Sequence, residues 1–146
     1  MKYKIITLLF SILLFGCESQ SSLKIATSAN MQFALEEIVV EFEKLNDIKV
    51  ELIISSTGTL TSQIEQGAPY DIFVAANMIY PNYLHQKNFT TAPPKIYAYG
   101  QLILWTLNDF EPDLNSLKSE SISKIAIPNP ETAPYGMAGV EVLKKK

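Results

Sequence analysis

An apolar pair, Ile53-Ile54, breaks into Ser55-Ser56-Thr57-Gly58-Thr59, and apolar residues then resume at helical spacing with Leu60 and Ile64 before Gly67-Ala68-Pro69. This order reads as strand, polar turn and helix, with Gly67 and Pro69 stopping the helix. The free N–H groups of a helix's first turn point out of its end, the macrodipole concentrates partial positive charge there, and Ser and Thr hydroxyls add rotatable donors. A turn of this kind can cradle an anion without any Lys or Arg. Ser55, Ser56 and Thr57 can equally be ordinary helix caps, the commoner role of such residues. From this stretch alone both readings stand.

The same device recurs along the chain. Leu23-Lys24-Ile25-Ala26-Thr27 alternates as a short strand, and Ser28-Ala29-Asn30 follows it. Asn30 stands where an N-cap belongs, because Phe33, Ala34, Ile38, Phe42 and Leu45 keep the spacing of an amphipathic helix's inner face. Asn46-Asp47 ends that helix, residues 48–54 read as the second strand and residues 71–75 as the third. A weaker helical stretch opens at Ala76-Asn77 and runs to Leu84, shortened by Pro81. Residues 89–94, ending in Pro93-Pro94, form an irregular connector. Beyond it residues 96–106 and 125–127 are strand-like, residues 110–117 a turn and short helix, and Pro128 to Gly136 a rigid loop before a helix over 137–146.

Alternating strands and helices with short turns predict an α/β fold with a parallel sheet, whose ligands gather at the carboxyl ends of the strands. Each helix start stabilises an anion by roughly 0.3 to 1 kcal/mol, so a site without cations needs several to converge. The connector separates the first two turns from the third. A ligand held by all three therefore sits in a cleft between two lobes.

Composition narrows the chemistry. The 146 residues, 47% apolar and 18% charged, suffice for one core and one domain by length. A net charge of −3 with scattered lysines argues against a nucleic-acid footprint. Cys17 and His85 are the single cysteine and the single histidine, so an internal disulfide and a Cys-rich zinc site are excluded, and neither residue lies near a persuasive catalytic partner. His85 reads as a surface residue near a helix end. Tyr97, Tyr99 and Trp105 could form an aromatic box, although aromatics at strand spacing more commonly belong to a core.

At the start, two lysines precede the apolar run of residues 5–15, which is short for a bilayer span and matches a signal peptide. Leu14-Phe15-Gly16-Cys17 resembles a bacterial lipobox, which would make Cys17 the lipid-bearing first residue of an exported protein tethered at the outer face of the cell membrane or in the periplasm. An ordinary cleaved signal peptide with an incidental Cys17 is the alternative. Residues 18–22 have the composition of a tether.

Ala26-Thr27-Ser28-Ala29-Asn30 before an acidic helix, Ser55-Ser56-Thr57-Gly58-Thr59-Leu60 with Gln63 through Phe73, and Asn129-Pro130-Glu131-Thr132-Ala133-Pro134-Tyr135-Gly136 resemble the periplasmic molybdate-binding proteins of ABC importers, over Leu23 to Lys146. The resemblance implies a two-lobed, Venus-flytrap periplasmic-binding-protein fold with parallel-rich sheets flanked by helices. It divides the chain into a leader (1–17), a tether (18–22), a first lobe (23–93) and a partial second lobe (94–146). It implies a monomer without cofactor that binds molybdate or tungstate, hands it to a membrane permease and catalyses nothing. It places Asn30 at the first-loop contact, with Ala29 beside it as a backbone donor. Thr57 falls at the second-loop hydroxyl position with Ser56 and Gly58 flanking, and Tyr135 at a main-chain N–H of the third. Molybdenum is thus held as its oxyanion, with no direct metal ligand.

Relatives in that family are longer, so the chain reads as truncated inside the second lobe at Lys144-Lys145-Lys146, and weak or absent binding is expected of it alone. A non-functional fragment is the corresponding alternative. The loops present donors and few acceptors, which suits a fully deprotonated oxyanion better than a protonated phosphate, and sulfate is the nearest alternative ligand. An enzyme using Ser55, Ser56 or Thr57 as nucleophile lacks a nearby base or a Gly-x-Ser-x-Gly elbow. An oxyanion-sensing regulator is opposed by the export signal and by the absence of a basic DNA-binding helix.

Overall fold

The structure is a computed structural model and describes residues 22–145. The expected leader with Cys17, and the tether except for Ser22, lie outside the described residues. Strand β1 (Leu23–Ser28) pairs in parallel with β2 (Val50–Ser55) on one side and β3 (Ile72–Val74) on the other, giving the order β2-β1-β3. Ile25 faces Leu52 and Ile72 across the two ladders, and Thr27 faces Ile54 and Val74. The central strand buries four consecutive residues, Ile25 to Ser28, as expected of a parallel strand covered on both faces.

A 3-10 turn, Ala29–Met31, leads from β1 into α1 (Gln32–Leu45). Asn30 is therefore not the N-cap of α1. Its side chain accepts a 2.6 Å bond from Ser28 Oγ, a local bond that competes with capping and tightens the turn. The expected inner face of α1 is also corrected: Phe33, Ile38 and Leu45 are 75%, 56% and 83% exposed and Ala34 is exposed too, whereas Leu35, Val39 and Phe42 are half-buried. The three-and-four spacing fits both stripes, and contact with β2 selects the second.

Helix α2 (Thr57–Glu65) starts at Ser56, whose Oγ accepts from the Thr59 N–H at 3.2 Å, and it ends before Gly67, whose φ of 89° suits glycine. Helix α3 (Ile79–Gln86) carries Pro81 in its first turn, where the missing N–H costs nothing. Leu60 of α2 and Leu84 of α3 have no exposed surface and, with Ile25, Ala26 and Ala75, form the core against the sheet.

Beyond the irregular connector, the strands expected over 96–106 and 125–127 do not form. β character depends on a partner edge, and no described residue supplies a ladder for them. Tyr99 and Trp105 are 91% and 65% exposed, which overturns their core reading, and Tyr97 instead donates its hydroxyl to Ala75 O at 2.9 Å. The short helix near 117 is a 3-10 turn, Ser116–Lys118. Helix α4 (Pro134–Lys144) begins three residues earlier than expected, with Pro134 pre-set for the first helical position.

Candidate functional site

The sequence places three polar turns before three helices, and the fold brings all three to one cleft of about 670 Å3. Ala29 and Asn30 line it from the first turn, Ser56 and Thr57 from the second, and Thr132, Ala133 and Tyr135 from the third. Among the described residues, none that lines this cleft carries a charge. A neighbouring cavity of about 310 Å3 shares Asn30 and Tyr135 and includes Lys95.

Each turn keeps some donors unspent. In α2, Ser56 Oγ takes the Thr59 N–H and also pairs with Thr59 Oγ1 at 2.7 Å, so Ser56 acts as the cap. The Gly58 N–H donates to Thr132 O at 2.9 Å, and the Thr57 N–H has no partner among the described residues. Thr57 is buried, and its Oγ1 accepts from the Ala76 N–H at 3.2 Å, which leaves the hydroxyl proton free to donate. In α4, Pro134 has no N–H and the ladder closes with Met137 N–H on Ala133 O, so the Tyr135 and Gly136 amides have no partner among the described residues. Ser28, buried at the end of β1, holds Asn30 Oδ1, so the Asn30 amide N–H2 is left to donate.

Residue-type reasoning passed over four contributors to this geometry. Ser28 orients Asn30, Ala76 fixes Thr57 through its main chain, and Thr132 takes the Gly58 amide. The fourth is Asn129, whose Oδ1 accepts the Glu131 N–H at 2.9 Å and whose carbonyl accepts the Ala133 N–H at 2.9 Å, shaping the third turn. The Asn129-Pro130 pair is a turn signal that points to this last role. Tyr97 sits beside the cleft, and its hydroxyl is pushed above the ordinary tyrosine range by burial and then by Tyr135. His85 lies elsewhere, its Nδ1 2.8 Å from Thr90 Oγ1.

A cradle of neutral donors with no carboxylate, imidazole or ammonium on its walls can hold an anion by hydrogen bonds. It offers no general base to activate the Thr57 or Ser56 hydroxyl.

Known proteins are similar to this chain in sequence and in fold. The molybdate-binding protein ModA of Azotobacter vinelandii is 36% identical over 136 residues, covering 90% of this chain and 54% of the relative. That of Rhodobacter capsulatus is 29% identical over 122 residues, covering 82% of this chain and 48% of the relative. The solved structure of the Azotobacter vinelandii periplasmic molybdate-binding protein matches with a TM-score of 0.77 at 34% identity, over 84% of this chain and 55% of that one. The chain spans about half the length of the curated relatives it matches, and over the matched part it has the α/β periplasmic-binding-protein fold of that structure. A sequence model of bacterial extracellular solute-binding proteins matches residues 23–146, and the chain belongs to that family.

Proposed function

We propose that this protein is the extracytoplasmic binding component of an ABC importer for molybdate or tungstate. The observation that carries the reading is an uncharged cleft whose lining includes Ala29, Asn30, Ser56, Thr57 and Tyr135, with unspent donors at Asn30, Thr57 and Tyr135. Asn30 contributes its amide, Thr57 its hydroxyl and main-chain N–H, and Tyr135 its main-chain N–H; Ala29, Ser56 and Gly58 flank them. The relatives named as molybdate-binding supply the choice of ion within the tetrahedral class. Residues 23–93 form the first lobe and residues 94–146 contribute to the second. Cys17 carries lipid and tethers the exported protein beside its permease, and the protein works as a monomer without a cofactor. A dianion that is all acceptor matches a site rich in unspent donors, whereas a protonated phosphate brings a hydrogen for which the walls hold no carboxylate.

The test is titration calorimetry on the mature product of the complete reading frame, with its intact mass reading the acyl chains on Cys17. Molybdate and tungstate are expected to bind with a Kd on the order of 1 μM or below, and sulfate at least about tenfold more weakly. Sulfate binding as tightly as molybdate would move the assignment to a general tetrahedral oxyanion carrier. Absence of binding to all three would end the oxyanion reading.

A further inference from the structure

Gly58 is the second residue of α2, and its N–H is one of the first-turn amides that the helix cannot bond internally. The three neighbours have distinct fates: Thr59 is met by Ser56, Thr57 is unpaired, and Gly58 is met by Thr132 from the far side of the connector. A Cβ at position 58 would lie 3.1 Å from Thr132 O, 3.2 Å from Thr132 Cα and 3.2 Å from Tyr80 Oη. Two of these atoms are backbone, and the turn that carries them is pinned by Asn129, so they yield less readily than a side-chain tip would. Helix propensity gives no reason for glycine at this position, where alanine is the better helix former.

We infer that Gly58 is a positioning residue for the oxyanion site, an inference that rests on the proposed function. Its N–H is spent on Thr132 O rather than on the anion. The bond clasps the third turn onto the start of α2, and the bare Cα permits the approach. The Thr57 amide and hydroxyl are thereby held opposite the Tyr135 amide, and the clasp sets how long the two halves of the cleft stay together on a bound anion. A residue that only built α2 would behave differently, because Gly→Ala in a helix ordinarily stabilises by restricting the unfolded chain.

Two measurements on the mature product of the complete reading frame test the clasp. The first is amide hydrogen exchange by NMR without ligand, which compares Gly58 with the unpaired Thr57 beside it. Exchange at Gly58 at least about tenfold slower supports the clasp, and equal rates overturn it. The second is Gly58→Ala with molybdate as the probe. Release about tenfold faster from a variant that still folds supports it, whether or not the ligand-free thermal midpoint falls, because the clasp is made before the anion binds. Unchanged release overturns it, whether or not the midpoint moves. If the parent takes up no molybdate, tungstate or sulfate, the proposed function fails, and the exchange comparison alone decides the clasp; it also decides if the variant does not fold.

Discussion

Single atoms decide what several residues of this cleft can be. A Cβ on Gly136 would overlap Pro128 O and lie 2.9 Å from Asn129 C, so the first turn of α4 rests directly on the backbone of the loop before it. Alanine is the better helix former by about 1 kcal/mol. Overpacking against backbone that cannot rotate away costs typically about 1 to 3 kcal/mol, so the clash outweighs the propensity. Gly136→Ala is therefore expected to lower stability by about 1 kcal/mol or more in urea unfolding, and a stabilised variant would show that the loop gives way. Thr57 is decided by one atom as well. Its buried oxygen accepts the Ala76 amide, so the residue holds the end of β3 to the start of α2 before any ligand is considered. Capping and anion binding were rival readings of the Ser55-Ser56-Thr57 stretch, and the side chains divide the roles: Ser56 caps, while Thr57 keeps a free amide and a free proton.

At the scale of elements, the junction between α1 and β2 depends on one carboxylate. Glu43 accepts the Val50 N–H at 2.8 Å and pairs with Lys49 at 3.2 Å, and these, the Val50 bond foremost, hold its carboxyl below the ordinary value of 4.5. A depressed folded pKa contributes stability that is present above the unfolded value and is lost as pH falls through the folded one. Glu43→Gln is expected to be less stable than the parent near pH 7, and the gap should close as pH falls below the ordinary carboxyl value and through the lowered folded one, measured as urea midpoints. A gap that persisted in acid would assign the effect to shape rather than charge. Elements bounded by local chemistry were legible from sequence: the three strands of the sheet, the Ser56 cap, and the Gly67 stop with its φ of 89°. Elements that need a distant partner were not. The segments 96–106 and 125–127 have strand composition without a described ladder, and α1 carries two apolar stripes of which only contact with β2 selects one. Asn30 was placed in the right turn with the wrong local role, because a hydroxyl two residues earlier takes its side chain.

At the scale of the whole chain, the proposed anion site and a net charge of −3 over the 146 residues together lead to an unusual salt dependence. Both the convergence of the three turns and a site without cations were inferable from their order and residue types; the fold adds that Lys95 lies in the neighbouring cavity and that, among the described residues, no charge stands on the cleft's own walls. A site built on Lys or Arg loses affinity for a dianion as salt screens the attraction, with a Debye length of about 30 Å at 0.01 M and about 10 Å at 0.1 M. Donors at helix starts act within the first turn and at contact distance, where intervening electrolyte has little room to act. The net charge of this chain is repulsive to a dianion on balance, and salt weakens that repulsion. Molybdate affinity is therefore expected to change by less than about twofold between about 0.02 M and 0.2 M sodium chloride, with any drift toward tighter binding. The measurement is the calorimetric Kd across that range. A tenfold weakening would place a cation against the ion, with Lys95 the nearest candidate by its cavity, and would replace the neutral-donor account of the cleft.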